Sequence, residues 1–70
     1  MKEYYRWENN FYCVTRKGRN IKEVVCVYKT SIEYTTDFSE DYINHCKPCT
    51  KAQFQKAGKR VVDKILKAIE

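Results

Sequence analysis

The stretch from Thr50 to Glu70 constrains this chain most. Thr50 and Gln53 stand at the spacing of a capping box, in which each side chain satisfies a backbone N–H of the other at a helix start. From Phe54 onward, steps of about 100° per residue gather Phe54, Ala57, Val61, Val62, Ile65, Ala68 and Ile69 on one arc. Lys56, Lys59, Arg60, Asp63, Lys64 and Lys67 fall on the opposite arc, with Leu66 at the border. This pattern predicts a helix over Lys51–Ile69, with Pro48 just outside it. An apolar stripe of that length needs a surface to cover, and the residues before Thr50 must supply it. Ile65 is read as core, so Ile65→Ala is expected to cost ~2–5 kcal/mol. Gly58 lies on the apolar side, where it costs ~1 kcal/mol relative to Ala, and a close approach by a strand or ring would explain it.

The covering surface reads as a sheet. Phe11–Thr15 and Val24–Tyr28 are rich in β-formers, and Arg16-Lys17-Gly18-Arg19-Asn20 between them holds turn residues. With Arg19-Asn20 as the tip and Gly18 facing Ile21, Cys13 falls opposite Cys26, and Tyr12 and Tyr28 point to opposite faces. A third strand is expected at Ser31–Thr36, antiparallel to the second because Lys29-Thr30 is so short a connection. Asp37 or Ser39 is placed to N-cap a short helix through Glu40, Asp41, Tyr42 and Ile43. Met1–Asn10, with Tyr4, Tyr5 and Trp7, reads as an edge strand or a lid, and Asn9-Asn10 as a turn. The expected fold is α+β: a three-stranded antiparallel sheet, a hairpin plus a third strand, packed against one C-terminal amphipathic helix. Seventy residues make a single small domain, whose one core rarely supplies more than ~3–5 kcal/mol.

Four cysteines leave the chemistry open. Cys13, Cys26, Cys46 and Cys49 form either one structural zinc site with four thiolate ligands or two disulfides, or remain as free thiols. Cys46-Lys47-Pro48-Cys49 before a helix also has the look of a thiol-redox motif, but the βαβ pattern of that fold is absent. His45 reads as a surface or capping residue. Glu40-Asp41, the adjacent carboxylates, suit a first helical turn better than acid–base chemistry. No catalytic constellation emerges, and an enzyme is not expected.

Charge points to a binding role. Fourteen Lys and Arg against nine Asp and Glu give a net charge of +5. Lys51–Glu70 holds six bases and two acids, Arg16–Lys29 holds five bases and one acid, and Glu33–Asp41 holds four acids and no base. The hairpin bases Arg16, Lys17, Arg19 and Lys22 suit phosphates, since a two-stranded ribbon fits the major groove of DNA. Tyr12 and Tyr28 are candidates to stack on bases. No apolar run approaches the ~18 residues that span a bilayer, so no membrane partner is expected.

Three strands followed by a helix, over Phe11 to Ile69, resembles in element order the DNA-binding domains of plant ethylene-response factors and the arm-binding regions of tyrosine recombinases. That resemblance implies a sheet that reads DNA. The same order with basic charge and four cysteines is also similar to chemokines, although their paired cysteines precede the sheet and Cys46 and Cys49 follow it. The expected function is therefore a small basic regulatory protein of viral or mobile-element type, binding nucleic acid through its hairpin in an intracellular setting. The alternative is a secreted, disulfide-stapled module that binds an acidic protein surface.

Overall fold

A computed structural model describes residues 1–70. It holds β1 (Lys2–Trp7), β2 (Asn10–Lys17), β3 (Asn20–Val27), β4 (Ile32–Thr35), α1 (Glu40–Asn44), β5 (Lys47–Pro48) and α2 (Lys51–Ala68). The fold is α+β, with an antiparallel sheet and a C-terminal helix, but the sheet has five strands in the order β4-β3-β2-β1-β5 rather than three. The first residues form neither a lid nor an edge. β1 is an inner strand, pairing Tyr5 with Tyr12 on one side and with Pro48 on the other.

The hairpin turns one residue earlier than the sequence suggests. Lys17 faces Asn20, so Gly18 and Arg19 form the tip, and Gly18 takes the positive φ of 63° that the first central position of such a turn favours. A bulge between Thr15 and Arg16 shifts the register again. Cys13 consequently faces Val25, and Cys26 faces Tyr12. Side chains alternate along a strand, so Cys13 and Cys26 project from opposite faces, whereas Tyr12 and Tyr28 share one.

Each face of the sheet carries its own core. On one, Tyr12, Val14, Val24 and Cys26 are fully buried with Ile43 of α1, and Tyr5, Ile21, Tyr28, Phe38 and Cys46 pack around them. Ser39 caps α1 by accepting from the Asp41 N–H, and His45 is its C-cap, with Nδ1 2.7 Å from the Asp41 carbonyl. On the other face α2 lays Ala57 and Val61 over Val27, with Phe11 and Phe54 beside them. The Thr50–Gln53 capping box has both of its bonds, at 2.9 and 3.1 Å.

α2 covers less of the sheet than its stripe implies. Eighteen residues at ~1.5 Å each make a rod of ~27 Å. It meets Tyr4 of β1 through Phe54 and Val27 of β3 through Ala57 and Val61, then leaves the sheet. Val62, Ile65, Leu66 and Ile69 remain exposed. Ile65, at 45% exposure, is thus not core, and its truncation forfeits far less than the burial cost expected above. Gly58 has room: an added Cβ would meet only Val27 Cγ2, at 3.9 Å, so no close approach demands glycine there.

Candidate nucleic-acid interface

The hairpin bases part company in the structure. Arg16 is only 14% exposed at its side chain and is bound on two sides. Its Nε donates to Glu3 at 2.8 Å, while Nη1 and Nη2 grip the two Glu40 carboxylate oxygens at 2.9 and 2.7 Å. Nη1 also donates to the Arg19 carbonyl at 3.1 Å. These hydrogen bonds from Arg16 hold the Glu3 and Glu40 carboxyls below their ordinary range and lift the guanidinium further. Arg16 joins β1, the hairpin and α1, and is not free for phosphate. Lys17, Arg19 and Lys22 are exposed at the tip.

Of the two expected stacking tyrosines, Tyr12 is structural and Tyr28 stays half-buried. Tyr12 is 1% exposed, and its hydroxyl lies 2.9 Å from that of Tyr42. Its ring meets Phe38, Tyr42 and Tyr28 at centroid distances of 5.6, 5.6 and 6.4 Å. Burial raises its hydroxyl pKa and carries that of half-buried Tyr28 to about 12. Tyr12 offers no ring face to a base, because α1 and the preceding loop occupy that side of the sheet.

The cysteines stay apart. All four are free thiols, Cys13 and Cys26 buried, Cys46 and Cys49 half-buried. No three His, Cys, Asp or Glu side chains gather where they could hold a metal ion, so the four cysteines are not assembled as one zinc centre here. Burial pushes the Cys26, Cys46 and Cys49 thiols up, which favours the neutral thiol over the thiolate.

A second basic site lies at the other end of the same strands. Arg6 of β1, Lys29 after β3, and Arg60 and Lys64 of α2 surround a cleft of about 370 Å³ where the helix leaves the sheet. Arg60 and Lys64, four residues apart, share a helix face. Phe11, Val27, Tyr28, Ala57 and Val61 supply apolar lining, and Glu8 and Asn9 of the β1–β2 turn complete the wall. Glu8 is the one non-glycine residue at positive φ, 54°, so the turn that borders the cleft is strained. In the sequence its bases are legible only as isolated charges, because strand and helix bring them together from positions 6, 29, 60 and 64. The cleft lies ~25 Å from the hairpin tip, about seven residues of β2 at ~3.4 Å each.

Among fourteen Lys and Arg side chains, Arg16 alone is held in an ion pair. Of the thirteen others, Arg6, Lys29, Arg60 and Lys64 lie at the cleft and Lys17, Arg19 and Lys22 at the tip, in a molecule 42 Å long. No helix is long and apolar enough to cross a membrane. Comparison with protein-family models, with curated proteins and with solved structures finds no match.

Proposed function

We propose that this chain is a small nucleic-acid-binding regulator, a binding protein rather than an enzyme, that holds its ligand by the phosphate backbone. One observation carries the reading: cations without ion-pair partners converge on a cleft with an apolar floor, Arg6 and Lys29 from the sheet side and Arg60 and Lys64 from the helix. Such an arrangement suits a strand whose phosphates meet the bases while a nucleobase rests on Phe11 or Tyr28. Lys17, Arg19 and Lys22 at the tip add a second phosphate contact. The basic hairpin keeps an auxiliary part in this reading, without Arg16 and Tyr12.

Fluorescence anisotropy of labelled single-stranded and duplex oligonucleotides across a salt series tests this. Affinity is expected to fall log-linearly with salt, and Arg60→Gln with Lys64→Gln to flatten the slope by about 0.7–0.9 for each phosphate no longer neutralised. Lys17→Gln with Arg19→Gln should flatten it less. Absence of binding at low salt, or a slope that neither pair alters, overturns the proposal.

A further inference from the structure

The two borders of the sheet are unlike. β5 is two residues long and consists of Lys47 and Pro48, a charge and a residue without an N–H, both of which discourage pairing. β4, at the opposite border, reads Ile32-Glu33-Tyr34-Thr35, with no proline, no bulge and one charge. Ile32 and Tyr34 are 39% and 63% exposed. They lie on the α2 face, since their partners on β3 are Val27 and Val25.

Backbone pairing indicates which groups are free. The Tyr28 N–H donates to the Ser31 carbonyl at 2.8 Å. Bonded and non-bonded pairs alternate along an antiparallel ladder, so Glu33 and Thr35 turn their backbone groups towards β3, while Ile32 and Tyr34 turn theirs outward. The flanking charges are polarised too: Lys29 precedes the strand and Asp37 follows it, and neither is in an ion pair.

We propose that the β4 border is where a second copy of this chain pairs, antiparallel, joining the two five-stranded sheets about a twofold axis at Tyr34. Antiparallel self-pairing sets the start of each β4 beside the end of the other, which carries Lys29 of one copy to within two residues of Asp37 of the second. Opposing residues must project from the same face, so four registers centre on β4; those centred on Ile32 or Thr35 pair only that one residue within the strand, which leaves two. One sets Ile32 against Tyr34 and Glu33 against its own copy, a like-charge opposition that disfavours it. The other sets Tyr34 against Tyr34 and Glu33 against Thr35, with both Tyr34 backbone groups bonded across the axis. This pairing rests on the sheet border and not on the nucleic-acid proposal, although Lys29 serves in both.

Sedimentation equilibrium at ~0.15 M salt, where the repulsion of two chains of charge +5 is screened beyond ~8 Å, reads the assembly directly. Wild type is expected to dimerise with concentration. Tyr34→Pro removes the outward N–H without breaking a backbone bond to β3, and Tyr34→Lys adds an edge charge, both at the loss of the 2.6 Å hydroxyl bond to Glu23; each should weaken association at least about tenfold. Circular dichroism checks that both stay folded. Lys29→Asp and Asp37→Lys should each weaken the dimer, and the two together in one chain should restore it. Ile69→Lys, on the bare end of α2, should leave it unchanged. A wild-type chain that stays monomeric to about 1 mM overturns the proposal. So does a dimer that survives both Tyr34 variants, or one that Ile69→Lys abolishes.

Discussion

Arg16 shows how a residue's surroundings redirect its use. In the sequence it is one of four bases in a hairpin, yet its carboxylate partners Glu3 and Glu40 lie 13 and 24 positions away. No local pattern connects them, so its structural role is invisible until the strands pair. The linkage is testable. Both carboxyls are held below their ordinary 4.5 in the fold, so their contribution is full above that value and fades as pH falls through the depressed folded pKa. Glu3→Gln is expected to lower the melting temperature at pH 7 and to make its decline between pH 5 and pH 3 shallower than in wild type. Melts across that range check both, and parallel curves for the two proteins would contradict the assignment. Tyr12 eludes a reading of the sequence for a similar reason: a β-strand tyrosine looks half-exposed until α1 is placed over it, and α1 is specified some thirty residues later.

At the level of elements, local signals are reliable and non-local ones are not. Ser39 and the Thr50–Gln53 box mark the starts of α1 and α2 because capping is settled within four residues. The hairpin and β4 are legible from β-formers and turn residues. Register is not: the earlier turn alone would set Cys26 opposite Phe11, and the one-residue bulge then brings it back only as far as Tyr12, not to Cys13. The inner place of β1 and the existence of the two-residue β5 escape because their evidence is a partner elsewhere in the chain. The stripe of α2 is legible as a stripe, but how much of it the sheet covers depends on where the helix crosses. Gly58 offers a clean test. It sits in mid-helix with ordinary contact distance at its would-be Cβ. Gly58→Ala is therefore expected to stabilise by up to ~1 kcal/mol through helix propensity, read as a higher denaturation midpoint. A drop in stability would mean that Val27 cannot accommodate the methyl group.

For the whole molecule, two cores share one sheet. Val14 and Val24 look towards α1, Val27 towards α2, and all three belong to β2 or β3. Neither layer has a strand pair of its own to fold on. Unfolding followed by Trp7 fluorescence, which reports the β1–β2 end, and by helical circular dichroism, dominated by α2, is expected to give one coincident transition. Separate midpoints would show that α2 detaches first. The basic clusters at the hairpin and the cleft arise from the same layout: long central strands put their two ends far apart, and the acids of α1 neutralise only the base they touch.

Pro48 has a consequence for assembly that reaches beyond its two-residue strand. A surface with one sealed margin and one receptive margin admits a single neighbour and then has nothing left to offer. Under the pairing proposed for β4, growth therefore halts at a couple, and the road to an endless ribbon is closed by a ring that lacks one hydrogen.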